Sequence, residues 1–412
     1  MAIVRPFRGL RPPKAIAPKV ASFPYDVINS DEARELAKDN PCSFLHINKP
    51  EIDLDPDINL YDQRVYDKAV ANFKMFQEKG WLVRDQEDCF YIYKQVMDGR
   101  SQIGLMCCCS AQEYWDGKIK RHEFTRKVKE EDRLKHVDMT NCNAGPVFLT
   151  YPACDSINTL IDEIIKTTPE VDFTSEDGIQ HVLWVVNDAT WSKKITEEFA
   201  KIQAFYVADG HHRTQAAARI AQLRTKNNAA HNGNEEYNFF LSVVFPHNHL
   251  YIMDYNRAVI DLNGLSEAEF IKKIEEKFTV EKQEYKKPTA RNTFGMYLKG
   301  AWYKLTAKSG TFDANDPVNS LDVAIMQNNL LNPILGIGDP RTDNRIDFIG
   351  GIRGIKELER IVNSGKFAVA FAMFPTSIEQ LMKIADSGEV MPPKSTWFEP
   401  KLRSGMVVHT LD

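Results

Sequence analysis

The sequence predicts a mixed α/β fold (α+β). Three observations predict it. Strand-like and helix-like hydropathy patterns alternate along much of the chain. Asp98-Gly99 separates two strand-like runs as a hairpin turn would. A second Asp-Gly step, Asp209-Gly210, stands between an aromatic, β-branched run and an alanine-rich helical pattern. With 412 residues the chain has room for two or three domains. The expected division is 1–155, 156–260 and 261–412, the last boundary falling where the pattern resets between Asp261 and Ser266.

Taken in order, residues 24–28 read as an extended stretch. Ser30 then caps a helix that opens Asp31-Glu32, acids suited to a first turn. Residues 43–48 read as a strand, and 61–77 as a long amphipathic helix ended by Gly80. The hairpin pairs 89–96 with 101–110. Residues 147–151 and 181–186 are further strands, and a helix over 190–199 leads to a strand over 202–207. The helix after it, 214–223, carries small residues on its buried side. Residues 226–234 are polar and read as a solvent loop before a strand over 239–245.

Composition narrows the function classes. A net charge of -5 argues against a general nucleic-acid surface. Seven cysteines without a Cys-x-x-Cys pair point to reduced thiols, and Cys107-Cys108-Cys109 to small apolar filler in a strand. No signal core and no apolar run of about 18 residues is present, so a cytoplasmic protein without a membrane span is expected.

The most informative stretch is Asp209-Gly210-His211-His212-Arg213. A sharp turn from strand into helix at His211 would aim unpaired backbone N–H groups, and the positive end of the helix, at one spot. Two histidines and an arginine add side-chain donors for phosphate oxygens. Two other readings stand beside this one: Asp209 as an ordinary helix cap, and a metal site. Neighbouring helical side chains point about 100° apart, so His211 and His212 would not reach one ion together. A charged run from 119 to 140 reads as a solvated helix face. Arg121-His122-Glu123 forms a compact cluster ahead of that helix, where an active-site loop could lie. Near the C-terminus, residues 391–401 hold prolines that exclude a regular helix. There Lys394, Ser395 and Thr396 either line an anionic site or belong to an arm packed by Trp397 and Phe398. There is no phosphate-binding Gly-x-x-x-x-Gly-Lys-Ser/Thr loop, no complete dinucleotide fingerprint and no paired Cys/His zinc spacing.

Five separated motifs occur together in order: Pro24-Tyr25-Asp26-Val27, Arg121-His122-Glu123-Phe124-Thr125, Asp209-Gly210-His211-His212-Arg213, Arg341-Thr342-Asp343 with Arg345-Ile346-Asp347, and Pro392-Pro393-Lys394-Ser395-Thr396. This combination resembles, over nearly the whole chain, a poorly characterised prokaryotic "domain of unknown function" family often labelled ParB-like. The resemblance implies a ParB/sulfiredoxin-like nucleotide-binding core with additional N- and C-terminal α/β segments. Gly210-His211-His212-Arg213 fits the Gly-x-x-Arg turn of that superfamily. Sulfiredoxins carry a nucleophilic cysteine where this chain has His211, so sulfinic-acid reduction is not expected. No basic recognition-helix module stands out, so DNA partitioning is not expected either. Free serine kinases, which are shorter, share Asp-Gly-His-His-Arg.

The resemblance therefore implies a nucleotide-dependent phosphotransferase acting on a small hydroxyl metabolite, with free L-serine first among acceptors. ATP or ADP would be the donor and Mg²⁺ the expected cofactor. Gly210, His211, His212 and Arg213 are assigned to the nucleotide phosphates. Asp209 and Glu123 are the candidate catalytic carboxylates, Asp209 also a candidate Mg²⁺ ligand. Arg121, His122, Lys394, Ser395 and Thr396 are candidate anion contacts. The alternative is a ParB-like nucleotide-binding regulator without transfer to a metabolite, and a third is a binder of a phosphorylated metabolite.

Overall fold

The computed structural model describes residues 2–284 and 287–412. The fold is mixed α/β, and the chain forms two compact units: Met1–Leu250 together with Pro400–Asp412, and Tyr251–Glu399.

Among the described residues, the first unit is built on a nine-stranded mixed sheet. Its order runs Ile119–Lys120, Phe205–Asp209, Val147–Tyr151, Phe239–Pro246, Arg100–Ser110, Phe90–Met97, Gln180–Val186 and Val171–Thr174, with Val4–Arg5 also on Arg100–Ser110. Ile119–Lys120 runs parallel to Phe205–Asp209, and Phe239–Pro246 parallel to Val147–Tyr151; the remaining pairs are antiparallel. The predicted hairpin is present. Asp98 and Gly99 both take positive φ, 50° and 76°, the conformation that matches a two-residue turn to the twist of its strands. Cys107 and Cys109 pack into the main core beside Leu105 and Phe240. Cys108 is equally buried, and the three thiols are free.

The long helix spans Gln63–Glu78 and Gly80 follows with φ 67°. Three local expectations are corrected. Residues 43–48 do not form a strand: Leu45–Asn48 is a helical turn, in which Lys49 N–H bonds the Leu45 carbonyl. A short apolar run carries no period of its own, and here Phe44, Leu45 and Ile47 are all buried as a helical turn buries them. Residues 24–28 turn rather than extend. The cap of helix Ser30–Ala37 is Asn29, whose side chain accepts from Asp31 and Glu32 N–H while Glu32 reaches back to Asn29 N–H; Ser30 instead donates to Glu51.

The C-terminal residues of this unit are woven into it. Leu10 and Val408 exchange backbone bonds at 2.9 and 2.8 Å, and His409-Thr410 pairs with Cys142-Asn143. Met406, Val407 and Val408 are fully buried, and the Lys401 carbonyl accepts from Gln95.

Among its described residues, the second unit holds a six-stranded antiparallel sheet in the order Phe278–Lys282, Ala301–Ala307, Thr293–Leu298, Val369–Ala372, Tyr255–Val259 and Ile346–Gly350. Helix Ile355–Asn363 covers a core of Tyr297, Trp302, Leu358 and Phe367. Among the described residues, no helix is long and apolar enough to cross a membrane.

Candidate functional site

Strand Phe205–Asp209 enters the core with Phe205 and Val207 fully buried. Its register on Val147–Tyr151 then slips: Val207 faces Leu149 while Asp209 faces Phe148. One residue, Ala208, is extra. Such a bulge bends the strand and re-aims the side chain beyond it, here Asp209. Gly210 follows with φ 94°, a left-handed conformation that turns the chain into helix His211–Asn227. No side chain caps that helix. Asp209 is therefore not the ordinary cap; its Oδ1 accepts from Gly210 N–H at 2.9 Å. The first backbone N–H groups of the helix have no carbonyl one turn earlier to meet.

Lys401 places its Nζ 3.1 Å from Asp209 Oδ2. Burial alone would raise the Asp209 carboxyl, but Lys401 and then Arg213 outweigh it and hold the group well below the usual carboxylate range. Asp209 is an anchored charge, and so a weak proton acceptor.

The loop that follows Ile119–Lys120 comes alongside because that strand runs parallel to Phe205–Asp209. It sets His122 against His211, ring centres 4.5 Å apart and planes at 87°. The donor atoms of His122, Glu123 and His211 lie within 4.8 Å of one another. Burial pulls the His122 imidazole down to about 4 and lowers His211 as well. Arg121 donates to the Tyr114 hydroxyl at 3.0 Å, and its charge helps to lower His211. The charged run is thus a solvated helix only from Lys127 onward, and even there Asp132, His136 and Thr140 are buried.

His212 diverges from His211 as helical geometry requires. Its Nε2 accepts from Arg126 N–H at 3.0 Å, so the ring is the acceptor form, and burial lowers its pKa. Arg213 folds back over the turn, and its Nη1 donates to the Pro146 carbonyl while Nε has no partner among the described residues. Its guanidinium borders an open cleft also lined by Tyr25, Arg133, Asn143, Gly145 and Ser404. Arg133 stacks on Tyr25 at 4.0 Å and is paired with Asp132 at 2.8 Å. Two guanidinium groups on one cleft, one of them from the first turn of a helix, suit an anion.

The structure therefore brings Asp209, Gly210, His211, His212, Arg213, His122 and Glu123 together, with Arg121 at the edge. Lys394, Ser395 and Thr396 belong to the second unit. There the Lys394 carbonyl accepts from Arg257, and Ser395 donates its hydroxyl to Pro392 at 2.6 Å. Phe398 is buried and Trp397 donates to Glu399. Tyr25 and Arg133 were given no role from the sequence, and Lys401 was marked only as one of the lysines of residues 391–401 that could line an anionic site. Tyr25 lies within one of the five motifs, which is the one signal that marked it.

A family model described as "Protein of unknown function (DUF1015)" matches residues 4–324. The chain belongs to the DUF1015 family. The matched span includes the Arg121–Thr125 and Asp209–Arg213 motifs and ends before Lys394. No curated protein matches this DUF1015 chain. Among solved structures it is similar to a free serine kinase in complex with AMP, at 13% identity and TM-score 0.34, covering 72% of this chain and 86% of that one. A conserved hypothetical protein from Pyrococcus furiosus gives 14% and 0.35, covering 73% and 93%. SbnI with C-terminal truncation from Staphylococcus aureus gives 13% and 0.37, covering 71% and 82%. Likeness at this level does not assign an activity to the DUF1015 chain.

Proposed function

We propose that this chain is a nucleotide-dependent phosphotransferase acting on the hydroxyl of a small metabolite, with free L-serine the first acceptor to test. The observation that carries the reading is the uncapped start of helix His211–Asn227 beside a cleft bordered by Arg213 and Arg133. Backbone N–H groups of His211 and His212 and the Arg213 guanidinium would hold the nucleotide phosphates, while Gly210, its own N–H taken by Asp209, forms the turn. Pre-aimed donors of this kind stabilise developing charge, and losing one costs a barrier increase of about 2.7–4 kcal/mol. Glu123 is the carboxylate assigned to the hydroxyl proton or to a divalent cation such as Mg²⁺, and Asp209, held by Lys401 and Gly210 N–H, keeps a charge-anchoring role. The choice of serine rests on the resemblance of Asp209–Arg213 to the free serine kinase motif.

A second reading has its own support. With Asp209 anchored, the turn could bind nucleotide without transferring phosphate, as a ParB-like regulator would. Incubation with Mg²⁺, L-serine and ATP or ADP, followed by phosphorus NMR, separates the two. The proposal expects a new phosphomonoester signal that falls by roughly 10²–10³ in rate in Arg213→Ala, checked by circular dichroism to be folded. No new signal, with nucleotide still raising the melting temperature, would establish the regulator. Absence of both would leave an anion site for a phosphorylated metabolite.

A further inference from the structure

Buried histidines in this protein are otherwise partnered. His136 Nε2 meets the Ile47 carbonyl at 3.0 Å. His181 uses both ring nitrogens, on Tyr93 and Ser175, and His409 both of its own, on Asn143 and Glu236. The exception is the pair at the turn. Both nitrogens of His122 and Nε2 of His211 are shielded from solvent and have no hydrogen-bond partner among the described residues. The Val207 carbonyl lies near His122 and pulls against the effect of burial on its pKa, but completes no hydrogen bond with either nitrogen. Three lone imidazole nitrogens in one contact are costly, about 1–3 kcal/mol each if nothing ever meets them. Such a set calls for a partner, such as a water or an ion.

We propose that His122, Glu123 and His211 form a binding site for a divalent transition-metal ion of the Zn²⁺ class. Their donor atoms lie within 4.8 Å of one another. Bonds of about 2.0–2.2 Å to a tetrahedral ion need donors about 3.4 Å apart, so side-chain adjustments on the order of 1 Å close the site. Two imidazoles and one carboxylate select against Mg²⁺, which prefers oxygen ligands, and in favour of an ion that accepts nitrogen. Three protein ligands leave coordination positions for water or a substrate oxygen. His122 is 1% exposed and His211 9%, so an ion held there is shielded from solvent. The start of a helix repels a cation. Glu123 therefore supplies charge as well as a ligand, and with ionised Asp209 nearby it offsets that repulsion. His212 stays outside, held by Arg126 N–H.

The site shares Glu123 and His211 with the phosphotransfer reading, but its test is separate, because metal uptake is measured without nucleotide or acceptor. The full chain is stripped with a chelator, then titrated with Zn²⁺ by calorimetry and with Co²⁺ by visible absorption. The expected result is one equivalent bound, a Co²⁺ spectrum of nitrogen and oxygen ligation lost on adding Zn²⁺, and no displacement by excess Mg²⁺. Replacing a direct ligand should cost at least what an outer-shell change does. His122→Gln and His211→Gln are expected to weaken binding roughly 100-fold, and Glu123→Gln more than tenfold. His212→Gln should bind as the parent does. Failure of the parent chain to take up one equivalent overturns the site. So does unchanged affinity in Glu123→Gln, a half-buried position whose replacement leaves the core intact. A Co²⁺ spectrum dominated by thiolate would place the ion on the cysteines and overturn it equally.

Discussion

At Gly210 a β-carbon would stand 3.1 Å from Nε of Arg213, on a backbone with φ 94°. Gly210→Ala therefore combines left-handed strain of about 1–2 kcal/mol with displacement of the guanidinium. It is expected to lower the thermal midpoint and, on the proposed function, to remove stabilisation by nucleotide; a variant that melts and binds like the parent would refute this account of the turn. The need for glycine here was legible in the sequence, because Asp-Gly between a strand pattern and a helix pattern signals a turn locally. Lys401 was not legible as the partner of Asp209, since 192 residues separate them. The contact between His122 and His211 was likewise hidden. It depends on Ile119–Lys120 lying parallel to Phe205–Asp209, and sheet order is not written in local periodicity.

Elements whose signals are local and redundant were read well. The hairpin had its Asp-Gly, and the helix Gln63–Glu78 had both an apolar stripe and a terminal glycine. Where two neighbours could serve, one was misassigned: Asn29 rather than Ser30 caps helix Ser30–Ala37. Reciprocal bonds from Asn29 and Glu32 satisfy donors at that end. Asn29→Ala should cost about 1 kcal/mol, and Ser30→Ala should act only through its bond to Glu51. Urea denaturation of the two variants distinguishes them, and equal midpoints would contradict the assignment. The bulge at Ala208 had no sequence signal, because an extra residue shows only against its partner strand.

Across the molecule, buried neutral histidines couple stability to pH. Burial draws His136 down to about 4 and His181 to about 3, from an ordinary value of 6.5, with Arg133 and Arg403 respectively adding to the effect. Between pH 6.5 and those values the unfolded chain binds protons that the folded chain refuses. Stability is accordingly full above pH 6.5 and falls as pH drops through that window. His46 acts in the opposite sense: Asp53 raises it against the effect of burial, and its contribution fades as pH rises. A variant comparison isolates the buried pair. His181→Gln is expected to be less stable than the parent at pH 7 and to lose less on going to pH 5, read from urea midpoints. A loss as large as the parent's would contradict this. The mixed α/β class was legible at this scale from alternating patterns. The return of residues 400–412 to the first unit was not, because its pairing with Leu10 spans almost the entire chain and that with Cys142 well over half of it.

That return makes the first unit discontinuous, with consequences for synthesis. A ribosome delivers Met1–Leu250 and then all of Tyr251–Glu399 before the residues that seal Leu10, Cys142 and Asp209 emerge. At about 5–20 residues per second the nascent first unit waits on the order of ten seconds with its closing segment missing. Its N-terminal part comes first in order yet is completed last, while the second unit is contiguous and free to fold in the interval. Ribosome-stalled chains truncated after residue 399 and followed by a linker long enough to clear the exit tunnel should therefore show a protease-resistant second unit and a protease-sensitive first one, and chains extended through Asp412 with the same linker should protect both. Equal protection at both lengths would show that the tail only decorates a unit already folded.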